Sequence, residues 1–395
     1  MTRHFSTLCS FVAGLVLLVS GFLKLIDPIG TGFIMEEYFK FLGLGFMVPA
    51  SVAAGIAVSV VEFLTGGLMM FRFRMRITTV VALIMMGFYL ILTLFLAIFN
   101  PPMDCGCFGE AIHLTHFQTF IKNVVLTALC LPPFFKRASI DTGNRKWRVA
   151  YKLALLVSMA ALLPAYSLTY RPFLDFTDFR PSALVSSGDG MSLNADLSGS
   201  MSFVYEKGGK RQSFTLDNLP DSTWTYVETV RENVLPDENS VVLSLRNPDG
   251  EYVRNLFVSE KNIVVSVYDT GKLDETDWAR IASFCDSVET AGMSVMVAVA
   301  GDGEDGSIPE IINVPVYYGD YKTLVTLNRS NGGFTYIAEL SYPTVVEKWA
   351  YRMMDRVSAN EIAENDPDFM LMEATARRNS FMRVVALVYI LLIAL

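Results

Sequence analysis

Long apolar runs fill the first 170 residues of the chain and then stop. Stretches near 5–26, 50–71, 77–99, 117–135 and 149–169 are each close to the roughly 20 mainly apolar residues that a helix needs to cross a bilayer, so the pattern predicts five spans. The first follows Arg3 but meets no small-residue cleavage site, and Gly21-Phe22-Leu23-Lys24 continues it, which makes it a span rather than a removed leader. At the other end, Arg377, Arg378 and Arg383 precede an apolar run from Val384 to Leu395 of only about half a spanning length. A short sixth span, an interfacial tail and a truncated helix all fit that run.

From about Pro172 turn residues and alternating patterns take over, and the chain reads as a soluble domain. Met201–Tyr205 is strand-like, with a turn at Lys207–Lys210. Val241–Leu245 leads through the turn Asn247-Pro-Asp-Gly250 to Tyr252-Val253. Asn262–Tyr268 reads as a buried strand, Asp274–Ala291 as a helix and Met293–Val299 as a second buried strand, an order that implies a parallel unit. A hairpin of Tyr321–Leu327 and Phe334–Leu340 around Asn328–Gly333 is expected to complete a mixed sheet, with a covering helix at Val345–Val357. The resulting divisions are a transmembrane part at 1–136, a basic loop and fifth span at 137–171, a β-rich connection at 172–239, an α/β domain at 240–360 and a tail at 361–395.

Composition agrees with a membrane protein, since 52% of the 395 residues are hydrophobic and 18% are charged. Basic residues orient it: Arg72, Arg74 and Arg76 separate spans two and three, and Lys136, Arg137, Arg145, Lys146, Arg148 and Lys152 separate spans four and five. The positive-inside rule makes both loops cytoplasmic. The loop after span one, the Cys105 loop and the region after Pro172 are then outside. A formal net charge of −8 argues against nucleic acid, and no phosphate-binding loop or dinucleotide fingerprint is present.

Chemistry concentrates between spans three and four, where Asn100–Gly109 carries Cys105 and Cys107 one residue apart. Gly106 and Gly109 let the backbone bend enough to close a Cys-Gly-Cys ring, which should be strained and readily reduced. A redox dithiol and a structural disulfide or idle thiol pair both suit the spacing. His113 and His116 follow, so that Cys105, Cys107, His113 and His116 also form a set that zinc or copper accepts. His116 competes with that reading, because Thr115–Gln118 has the spacing of a capping box at a helix start. The segment 27–45, with Glu36, Glu37, Tyr38, Phe39 and Phe41, suits a short interfacial helix.

Ionisable groups inside spans are costly and therefore informative. Glu62 lies mid-span and Lys122 in the outer half of span four, so pairing between them, or a protonated Glu62, is expected; structural hydrogen bonding, proton handling and contact with a quinone head group are the roles such a group serves. Lys24 is close enough to a helix end to snorkel. Cys9 and Cys130 fall within spans as small apolar residues.

Val19-Ser-Gly-Phe-Leu-Lys24, Glu62 and Asp104-Cys-Gly-Cys-Phe-Gly109 together resemble the DoxX family and its MauE relative over about residues 1–136. The resemblance implies a four-helix membrane bundle linked to thiol, sulfur or quinone redox chemistry; the expected setting is a bacterial inner membrane, with the basic loops directing the fifth span to a periplasmic domain. Residues 240–357 are similar in pattern to the thioredoxin-like fold of the TlpA type, but Tyr268–Leu273, where such proteins carry Cys-X-X-Cys, has no cysteine. Two functions compete. One is a thiol/disulfide oxidoreductase using Cys105 and Cys107 with Glu62 and Lys122, coupled to a quinone and an envelope client. The other is a non-catalytic envelope assembly factor that holds a partner through its outer domain.

Overall fold

The computed structural model describes residues 3–101, 103, 105–110, 114–141, 146–170, 172–188, 201–207, 210–214, 224–231, 240–257, 259–302 and 308–394. The chain divides into two units, Met1–Thr177 with Arg377–Leu395, and Asp178–Ala376.

The apolar runs of the first unit form α1 (Arg3–Ile26), α2 (Pro28–Phe41), α3 (Ser51–Met70) and α4 (Met75–Phe99). After the extended segment β1 (Cys107–Glu110) come α5 (His116–Phe135), the short α6 (Arg137–Ile140) and α7 (Lys146–Thr169). Among the described residues four helical stretches are long and apolar enough to cross a membrane: Arg3–Ile26, Gly45–Met70, Met75–Phe99 and Ala150–Thr169. The expected span at 117–135 is the helix α5, but it falls outside that set. His116, Gln118, Lys122, Asn123 and the Pro132-Pro133 pair dilute its apolar character. The helix expected within 27–45 is α2, started by Asp27, whose carboxylate accepts the Gly30 N–H at 2.9 Å, with Pro28 in its first turn.

Helix α1 is the centre of this unit, with 67% of its apolar window buried against 28%, 28% and 22% in the other three. Small residues let α3 approach it. A methyl group on Gly66 would lie 2.3 Å from the Leu18 nitrogen, and one on Gly21 would lie 2.5 Å from that of Phe63. Two helices in lipid gain most from such close backbone contact, because apolar side chains alone are matched by the lipid. The two basic connections meet at one end of the bundle, where the Asp141 carboxylate accepts the Met75 N–H at 3.1 Å. Since α4 runs the length of the bundle from Met75 to Phe99, the thiol loop lies at the opposite end.

In the second unit β2 (Val185–Ser187) pairs with β6 (Val241–Leu243), and β3 (Met201–Lys207) lies between β4 (Lys210–Phe214) and β5 (Thr225–Arg231). The main sheet uses β7 (Leu245–Arg246), β8 (Lys261–Val267), β9 (Ser294–Ala300), β10 (Val316–Gly319), β11 (Gly333–Glu339) and β12 (Pro343–Trp349), in the order β12-β11-β8-β9-β10-β7. Strands β8, β9 and β10 are parallel, while β11, β12 and β7 are antiparallel to their neighbours. Successive strand residues face opposite sides. Ile263, Val265 and Val267 therefore join Trp278, Ile281 and Phe284 of α8 (Glu275–Thr290) on one face. Val264, Met296 and Ile337 join Leu324 and Leu327 of α9 (Tyr321–Leu327) on the other. Asp274 and Asp277 form a capping box at the start of α8.

Two expectations fail here. Tyr321–Leu327 is the helix α9 rather than a strand, capped by Asp320, whose carboxylate accepts the Thr323 N–H. Val345–Val357 opens as strand β12 rather than a helix, so the terminal hairpin is β11–β12. Both runs are short, and β12 is buried at five consecutive positions, so no alternation marks it in the sequence. The chain closes with α10 (Ala359–Glu364) and α11 (Pro367–Ala394), and the apolar run from Val384 is the end of that 28-residue helix.

Candidate functional site

The thiol loop is fixed from three sides. Gly106 has φ +60°, a conformation that favours glycine, and a side chain there would meet Ile34 Cγ2 at 2.3 Å. The Tyr38 hydroxyl of α2 donates to the Cys105 carbonyl at 2.6 Å, and the Ser20 hydroxyl of α1 donates to the Cys107 carbonyl at 2.5 Å. The Cys105 sulfur lies against the first turn of α5, where the Thr119 hydroxyl donates to it at 3.0 Å. In its thiol form Cys105 donates in turn to the Leu114 carbonyl at 3.3 Å.

Both cysteines are free thiols, and their environments separate them. The Cys107 thiol donating to Cys105, helped by Thr119, brings the Cys105 pKa down to about 5 against the opposing effect of burial. Cys107 is pushed up, first by that same hydrogen bond and then by burial, while the charges of Lys122 and Lys24 pull it the other way. At neutral pH these opposite shifts leave the pair holding one proton, on Cys107.

Glu62 of α3 is buried, and its partner is Lys24, at 2.7 Å, rather than the expected Lys122. Lys24 does not snorkel. It is 7% exposed, because the close α1–α3 packing turns the helix face that carries it toward the bundle interior. The same carboxylate oxygen accepts the Tyr89 hydroxyl of α4 at 3.1 Å. Removing one member of such a buried pair strands the other charge, at a cost of about 3–5 kcal/mol. Lys122 instead sits over the Phe108 ring, 4.7 Å from its centroid.

A cavity of about 320 Å³ brings these groups together, with Cys105, Cys107, Lys24, Glu62, Tyr89 and Lys122 in its wall. Leu42, 50% exposed, and Phe88, 58% exposed, also line it, which places its mouth on the outer surface of the helices. The volume lies in the range of about 300–1,000 Å³ usual for small-molecule sites, and its lining is mainly apolar with polar groups among it.

The proposed site residues thus fall on one cavity, and the sequence reading missed Lys24, Tyr89, Tyr38 and Thr119. Tyr89 lies in an unbroken apolar run and carries no local pattern of its own. Thr115 and Gln118 form the expected capping box. Of the alternative metal set, His113 lies outside the described residues, and His116 Nε2 sits 3.0 Å from the Pro101 carbonyl oxygen. Among the described residues no group of three or more His, Cys, Asp or Glu side chains is placed to hold a metal ion. In the second unit Cys285 is packed within α8, and burial pushes its thiol up to about 12.

Residues 200–234 match the family model of a domain of unknown function (DUF8463). No curated protein and no solved structure matches the chain. Residues 2–136 match the family model of methylamine utilisation protein MauE. The helical stretch that carries both thiols, Lys24, Glu62, Tyr89 and Lys122 is therefore a MauE-like membrane region.

Proposed function

We propose that this protein is a membrane thiol/disulfide oxidoreductase in which Cys105 and Cys107 exchange electrons between a quinone and the thiols of an envelope client. The observation that carries this reading is the placement of a thiolate–thiol pair in the wall of a mainly apolar cavity whose mouth is on the outer surface of the helices. Closing the Cys105–Cys107 bond releases two electrons, and a membrane-dissolved acceptor that takes two electrons and two protons, a quinone, becomes a hydroquinone. The disulfide then passes to a client. The client thiolate attacks Cys105, a mixed disulfide forms with Cys107 as leaving group, and a second client thiol releases Cys105 and completes the client's disulfide.

The second unit serves as a docking domain of thioredoxin-like design in this reading. The order β12-β11-β8-β9, with α8 following β8, supports that assignment. The loop from Tyr268 to Asp274 ahead of α8 has no thiol, and Cys285 is packed in the core, so the unit binds without exchanging disulfides.

The reduced full-length chain, mixed in detergent with a one-isoprene ubiquinone, is expected to yield one hydroquinone per chain and a Cys105–Cys107 disulfide. No hydroquinone would leave the assembly-factor reading in its place. The thiol loop belongs on the periplasmic side of a bacterial inner membrane. In spheroplasts of a variant without native cysteines, a membrane-impermeant thiol reagent should label Phe46→Cys, at a position 81% exposed near the thiol-loop end, and spare Ser139→Cys. The opposite labelling would invert the topology.

A further inference from the structure

The Lys24–Glu62 pair is more than the helix contact needs. A buried ion pair is poor evidence of stability, since apolar residues of similar size often hold such a contact as well or better. Its position in the same cavity wall as the thiols, with Lys24 near enough for its charge to act on Cys107, asks for a chemical role. Lys24 Nζ has three N–H donors. Among the described residues only the Glu62 carboxylate accepts one of them by hydrogen bonding. Of the other groups in the wall, Tyr89 donates its proton to Glu62 and Tyr38 to the Cys105 carbonyl, Lys122 sits over the Phe108 ring, and Lys24 itself lies 5.6 Å from the centroid of the Tyr89 ring.

Proton balance supplies the role. This step rests on the quinone-linked reading above. With Cys105 ionised, the reduced pair brings two electrons but one proton, that of Cys107, whereas a hydroquinone carries two protons. We infer that Lys24 delivers the second proton from Nζ to the reduced quinone oxygen, held in place by Glu62 and, through the same carboxylate oxygen, by Tyr89. The step balances: thiolate, thiol, quinone and lysine ammonium give disulfide, hydroquinone and lysine amine, with net charge zero on both sides. Lys24 then regains its proton from water. In this scheme Lys24 is the general acid, and Glu62 and Tyr89 are positioning residues.

The test is single-turnover oxidation of the reduced full-length chain by the one-isoprene ubiquinone between pH 6 and pH 9, followed through hydroquinone formation. Lys24→Arg is the decisive variant. A guanidinium keeps the charge and the bond to Glu62 but does not give up its proton. Wild type should vary little across this window. Lys24→Arg should bind the quinone with unchanged Kd yet react about 10²-fold more slowly at pH 8. Its rate should rise about tenfold for each unit that the pH falls, as solvent takes over the proton supply. Lys24→Gln should show the same slope and be partly rescued by added methylamine. A Lys24→Arg protein with the wild-type rate and pH profile would overturn the inference while leaving the quinone reading intact. A wild-type chain that binds the quinone but never reduces it would overturn both.

Discussion

Replacing Cys107 by serine should trap Cys105 in mixed disulfides with envelope proteins, seen as reductant-sensitive adducts of the full-length chain, whereas Cys105→Ser should trap almost nothing. The asymmetry follows from the thiol pair, in which Cys105 holds the negative charge and Cys107 the proton. A serine hydroxyl still donates to Cys105, so the Cys107→Ser nucleophile stays ionised, while the group that would resolve the adduct is gone. By microscopic reversibility, the adduct formed when Cys105 attacks a client disulfide is the one through which oxidation of the client passes. Alkylation provides the pH check. With its pKa lowered to about 5, wild-type Cys105 should react at a nearly constant rate from about pH 6 upward and lose reactivity as the pH falls through 5. Cys107→Ala removes the largest cause of that lowering, so its rate should climb through neutral pH toward an ordinary thiol value of about 8.5. Equal trapping by both serine variants would remove the assignment of roles.

Gly66→Ala should destabilise the bundle, with a clear loss of Tm in detergent. The added carbon would stand 2.3 Å from the Leu18 nitrogen, a backbone atom with no rotamer to yield. Helices α1 and α3 must then separate, at a cost of the order of 1–3 kcal/mol or more. Separation would also draw Lys24 away from Glu62, since one sits on each helix. The control is Gly87→Ala in α4, where nothing lies within 4 Å of the new methyl and helix propensity improves, so Tm should hold or rise. A Gly66→Ala protein as stable as the control would show that the α1–α3 contact is not tight.

Much of this molecule is legible in the chain alone, wherever the cause is local. Apolar runs of spanning length announce α1, α3, α4 and α7, since length and composition suffice for that inference. Thr115 with Gln118, and Asp274 ahead of its helix, mark the starts of α5 and α8 because a capping side chain satisfies amides three residues away. The continuous apolar strands β8 and β9 flanking α8 similarly imply a parallel unit. Cys105 and Cys107 stand out because two thiols one residue apart are close enough to bond to each other or to share a partner.

Tertiary structure decided what depends on partners distant in sequence. Tyr321–Leu327 and Pro343–Trp349 are too short to carry a period of their own, and their packing against β8 and β11 selects helix for one and strand for the other. The same holds for the site. Lys24 near a helix end reads locally as a snorkelling residue, and Tyr89 as one more member of an apolar run. Only the crossing of α1, α3 and α4 puts the lysine ammonium and the tyrosine hydroxyl on one oxygen of Glu62. Capping and apolar runs act over a few residues and are written in the sequence. A buried charge finds its partner across 38 residues, and the close glycine contacts of the fold determine which lysine that is.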